Sequence, residues 1–145
     1  MIQSLLQRLL APQPARLPEP DARLALATLM VRLARTDGEY SADEVARIDR
    51  VLGECYSLSP FEASDLRGKA EVFEAEAPDT VRFTRAIKAA TDHEDRLVLV
   101  QALWSVALAD GARDADEDQL MRLVTSLLGV TDVESGLARQ RAARK

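Results

Sequence analysis

Leu26, Ala27, Met30, Leu33 and Ala34 recur at the spacing of one helical face, and the pattern stops at Asp37-Gly38. It resumes after Ser41 as Val45, Ile48, Leu52 and Cys55, which predicts a second helix ending around residues 56–58. In "SPFE", Ser59 is placed as N-cap, Pro60 at the first helical position and Glu62 at the third, a capping box that opens a helix carrying Leu66, Ala70 and Phe73. After the break at "EAPDT", a shorter helix is expected from Val81, Phe83, Ile87 and Ala90, with Arg82, Arg85 and Lys88 toward water. Thr91 and Glu94 form a box-like start to "LVLVQALWSVAL", in which ten of twelve residues are apolar. Its two polar members, Gln101 and Ser105, are four apart and share one strip, the mark of a central helix, so Leu103 and Trp104 are assigned to the core rather than to a ligand pocket. Two more helices are expected, from about Ala115 to Leu128 on Leu120, Leu123, Val124 and Leu127, and from Thr131 to near Arg141 on Val133 and Leu137, with Thr131 and Glu134 as a further box. No segment alternates with a period of two between hairpin turns, so the fold class is all-α, a bundle of about seven to eight helices.

The pattern is written twice. "LARTDGEYSADEVARI" (33–48) returns as "VALADGARDADEDQLM" (106–121), with Asp37 and Asp110, and Glu44 and Glu117, separated by the same 73 residues. Apolar positions 30, 33, 34 and 48 meet 103, 106, 107 and 121 at that offset, and the caps Ser59 and Thr131 meet at 72. Two pseudo-symmetric halves packed about a twofold axis would bury both stripes in one core.

Residues 1–20 stand apart as a short amphipathic helix (Leu5, Leu6, Leu9, Leu10) and a Pro-rich connector; residues 21–138 form the helical domain, and 139–145 a basic tail. The first segment is too short and interrupted to span a bilayer, which leaves peripheral membrane contact as the most it offers. At 145 residues the chain suits one domain with a real core. A net charge of −5 excludes a sequence-independent nucleic-acid binder, which needs a basic surface, and favours cations or basic partners. Cys55 is the only cysteine, so neither a disulfide framework nor a Cys-based zinc site can form, and a cytoplasmic location is expected.

The repeated Asp-Gly is chiefly helix punctuation: Gly38 and Gly111 suit C′, and Ser41 with Glu44, like Asp114 with Glu117, has capping-box spacing. Asp37 and Asp110 escape that account. Each sits in the last turn of a helix, where its charge meets the negative end of the macrodipole at a cost of roughly 0.3 to 1 kcal/mol. A cation there would reverse the sign, and carboxylates beside free helix-terminal carbonyls suit Ca2+, Mg2+ or Mn2+. An EF-hand is excluded, because Ala42 and Ala115 stand where its Gly is required, and Ile48 and Met121 where its bidentate Glu is required.

With its doubled Asp-Gly and downstream Glu, the apolar helix before each copy, the "LSPFE" cap and "APDTVRFTRAIK", the chain resembles the TerB (tellurite resistance B) family over about residues 20 to 140. The resemblance implies an all-helical fold of two related halves, a cytoplasmic location and a metal-binding acidic surface carried by Asp37, Glu44, Asp110 and Glu117. It also implies a setting in tellurite and stress resistance, and a related domain occurs in a membrane-anchored co-chaperone. Arg113 follows the second Gly where Tyr40 follows the first, so a single shared site is easier to defend than two equivalent ones.

Other constellations carry less. His93, flanked by Asp92, Glu94 and Asp95, is expected as an exposed first-turn residue, and no Ser or Cys nucleophile is paired to it. No glycine-rich phosphate loop occurs. A helix-turn-helix reader is rejected, since Asp43, Glu44 and Asp49 would meet phosphates with the wrong sign. The expectation is a non-enzymatic module that binds a divalent cation through the two Asp-Gly loops and signals to an unknown protein partner. The rival is a structural adaptor without a metal.

Overall fold

In the computed structural model, which describes residues 21–36, 38–76, 79–109 and 115–144, the described residues form seven helices and no strand. They are α1 (Ala22–Arg35), α2 (Ala42–Tyr56), α3 (Pro60–Glu76), α4 (Thr80–Ala90), α5 (His93–Ala107), α6 (Ala115–Leu127) and α7 (Asp132–Ala143). The expected amphipathic helix and connector at 1–20 lie outside the described residues. No helix among those described is long and apolar enough to cross a membrane.

Each start has a local cause. Asp21 accepts from the Leu24 amide at 2.7 Å and caps α1. Ser41 with Glu44, Ser59 with Glu62 and Thr131 with Glu134 form reciprocal capping boxes at α2, α3 and α7. At α5 the expected cap moves by one residue: Asp92, not Thr91, accepts from the Asp95 amide at 2.9 Å. Thr91 instead donates its hydroxyl to the Ile87 carbonyl at 2.6 Å and accepts from Arg96 Nε, closing α4 rather than opening α5. Gly38 takes φ of +83°, as a helix stop requires, but one position further out than C′, because α1 ends at Arg35 with Thr36 as C-cap.

The duplication is visible in the packing. α1 lies against α3 in the first half as α5 lies against α7 in the second; α1 and α5 touch each other, and each also reaches the other half's α6 or α2. This reciprocity is that of a pseudo-twofold, with α4 laid across α1 as the connector. All eight equivalent apolar positions, 30, 33, 34 and 48 with 103, 106, 107 and 121, are buried. Burying such side chains contributes about 1.5 to 3 kcal/mol for each large one.

Some faces turn differently from the apolar spacing. α1 is buried almost all round, as central as α5, because α3, α4 and α5 all cover it. On α4, Val81 is exposed and Phe83, Thr84 and Ile87 form the buried face. On α6, Leu123 is exposed, and burial falls on Met121, Val124 and Thr125, with Leu128 just beyond. On α7, Val133 and Leu137 point outward while Ser135, Ala138 and Ala142 meet the core, since small residues let this helix lie close to α5. Residues 139–143 continue α7, with Arg139 stacked over the Trp104 ring.

Candidate functional site

The two Asp-Gly loops join α1 to α2 and α5 to α6. Asp37 and Asp110, the expected direct ligands, lie outside the described residues, as do Gly111, Arg113 and Asp114. Glu44 and Glu117 are described, and they occupy the same place, the third position of α2 and of α6. Both are buried, at 3% and 4% exposure. The Ser41 amide donates to Glu44 Oε1 at 2.9 Å while the Glu44 amide donates to Ser41 Oγ at 3.2 Å, so Glu44 does cap its helix.

Capping alone does not require burial. Glu62 makes the same reciprocal pair at the start of α3, with distances of 2.9 and 3.1 Å, yet stands in solvent. There the Ser59 amide holds its carboxyl below the ordinary carboxylate range. A buried carboxylate is costly unless partnered, and both Glu44 and Glu117 are partnered, with the positive end of a helix macrodipole beside them. Among the described residues, no three His, Cys, Asp or Glu side chains converge closely enough to hold a metal.

The first loop is tied to α3 by contacts that local spacing could not reveal. The Tyr40 hydroxyl donates to Glu71 Oε2 at 2.7 Å, and the Arg35 guanidinium lies 5.1 Å from the centre of the Tyr40 ring. Burial, then the Glu71 carboxylate, pushes the Tyr40 phenol well above its usual range. Glu71 also pairs with Arg67 Nη1 at 3.0 Å, and Arg67 Nε reaches Asp49 Oδ1 on α2 at 2.7 Å. Arg32 and Arg35 on α1 both grip Glu74, at 3.2 and 2.7 Å. Only the i,i+4 pair Arg67 and Glu71 left a trace in the sequence. Arg47 on α2 donates to the Ser105 carbonyl at 3.1 Å, linking that helix to α5.

His93 is exposed, as expected, but it is partnered: its Nε2 lies 2.8 Å from Glu134 Oε2. Cys55 is a buried free thiol. Trp104 is buried and donates from Nε1 to Ser135 Oγ at 3.0 Å, consistent with core. It nevertheless floors a cleft of about 380 Å³ between α6 and α7, where no pocket was anticipated. A second hollow, of about 440 Å³ and mainly apolar, lies by Gly53, Leu58 and Pro60.

A family model described as "Tellurite resistance protein TerB" matches residues 23–140. No curated protein and no solved structure matches the chain.

Proposed function

The chain belongs to the TerB family, and from that premise we propose that it is a non-enzymatic module that binds a divalent cation through its two Asp-Gly loops and passes the bound state to a protein partner. Asp37 and Asp110 bind the ion directly, and Glu44 and Glu117 serve both as ligands and as helix caps. The ion is Ca2+, Mg2+ or Mn2+, since the donors are hard oxygens. The supporting observation is the paired burial of Glu44 and Glu117, which capping by itself does not demand.

A carboxylate that both caps and ligates couples ion uptake to the first turn of its helix. From α2 the change reaches α3 through Asp49 and Arg67, and α5 through Arg47. The proposed setting is a reducing cytoplasm, which suits a chain with one cysteine, and a role in tellurite resistance, taken from the description of the family.

Calorimetric titration with Ca2+, Mg2+, Mn2+ and Zn2+ tests this, repeated on Asp37→Asn with Asp110→Asn. Saturable heat lost in the double variant supports the module. Absence of heat in the intact protein supports the second reading, an adaptor without a metal. That alternative draws on Val133 and Leu137, one helical turn apart on α7 and 74% and 46% exposed.

A further inference from the structure

The two halves differ in chemistry at the seam between their second and third helices. In the first half, Asp49 on α2 and Arg67 on α3 close the seam with an ion pair of 2.7 Å. At the repeat offsets of 73 and 72, Arg122 stands in place of Asp49 and Arg139 in place of Arg67. The second seam therefore holds two guanidiniums and no ion pair between them. It is also more open: α6 and α7 touch sparingly where α2 and α3 pack closely, and the cleft of about 380 Å³ lies between them.

Other lining positions have changed too, and two of them, Asp118 for Val45 and Asp132 for Pro60, have become acidic. Val31, Leu52 and Ala63 in the first half correspond to Trp104, Thr125 and Ser135 in the second, so an apolar seam has acquired an indole and two hydroxyls. Arg139 rests over the Trp104 ring, 5.3 Å from its centre, which fixes one guanidinium at the cleft wall. Arg122 is exposed on the opposite wall. Among the described residues neither guanidinium has a carboxylate within ion-pair distance. Of the two aspartates that also line the cleft, Asp132 sits at the first position of α7, where the macrodipole favours it, and Asp118 is partnered.

We propose that the cleft between α6 and α7 is a binding site for a small oxyanion, a carboxylate or phosphate group clamped between Arg122 and Arg139. Guanidiniums present a planar fork matched to both anions, and the cleft is in the size range of small-ligand sites. The site is independent of the Asp-Gly loops. Its ligand would take the place that the Asp49 carboxylate fills in the first half.

Trp104 is the only tryptophan, so its fluorescence reports on the cleft directly. The full chain is titrated with inorganic phosphate and, separately, with succinate at constant ionic strength, and heats are recorded in parallel. A saturable signal with either anion is expected; phosphate alone assigns a phosphate-bearing ligand, and succinate alone a carboxylic acid. Arg122→Gln and Arg139→Gln should each weaken binding about tenfold or more, the effect of losing one charge-assisted contact. Arg85→Gln, on exposed α4 surface, should leave binding unchanged. Arg122→Asp recreates the first half's pair with Arg139 and should abolish binding without lowering the thermal midpoint. No saturable signal with either anion, or binding that survives both glutamine substitutions, would overturn the proposal.

Discussion

His93 Nε2 on α5 and Glu134 Oε2 on α7 lie 2.8 Å apart, so one carboxylate both caps α7 and fastens it to the first turn of α5. The His93 imidazole, then the Thr131 amide, holds the Glu134 carboxyl down at about 2, against an ordinary 4.5. A depressed value in the folded state means that its stabilisation is complete above 4.5 and is lost as pH falls through about 2. The thermal midpoint, followed by circular dichroism, is expected to fall across that window. Glu134→Gln should flatten the fall; a profile as steep as the parent's would show that this contact carries none of it.

Ser41→Ala and Thr131→Ala each remove a side-chain cap and should cost about 1 kcal/mol, whereas Ser41→Gly should cost only a few tenths. Urea unfolding with an unchanged slope would register this. No loss in the alanine variant would mean that the hydroxyl is not the stabilising group at that position.

Ile48 and Met121 fill equivalent places in the two halves and are both buried. Ile48→Ala and Met121→Ala should each destabilise by about 2 to 5 kcal/mol, the usual range for emptying a core site. A large loss in one and none in the other would refute the view that both halves contribute alike to a single core.

Much of this architecture was legible because its signals are local. Capping boxes at Ser41, Ser59 and Thr131, the glycine stop at Gly38 and the doubled apolar stripe depend on neighbours within a few residues, and each formed in the folded chain. Where two capping residues are adjacent, as at Thr91 and Asp92, spacing could not choose between them; the Ile87 carbonyl, which claims the Thr91 hydroxyl, did. On α6 only Leu123 departs from the expected stripe, while on α7 Val133 and Leu137 both do, because apolar spacing reveals a stripe without revealing what meets it. On α7 the seam with α5 favoured Ser135, Ala138 and Ala142 over the larger Val133 and Leu137. At the candidate site, the sequence pointed to Glu44 and Glu117, but their burial was not readable, since Glu62 has the same spacing and stands in water. The Tyr40 to Glu71 bond spans 31 residues and leaves no periodic trace at all.

Tyr56 is buried, with its ring under the Arg23 guanidinium, and its hydroxyl finds no hydrogen-bond partner among the described residues. Burial pushes that phenol well above its ordinary range. Tyr56→Phe removes an unsatisfied polar atom and should leave the protein unchanged or more stable by up to about 1 to 3 kcal/mol. A loss of stability on chemical denaturation would reveal a partner for the hydroxyl.

Among the described residues, the shelter of α1 comes from segments synthesised after it, the last of the major ones being α5, which ends at Ala107. During translation this apolar helix therefore waits for its neighbours, and the nascent chain must be kept from sticking elsewhere until α5 has left the ribosome.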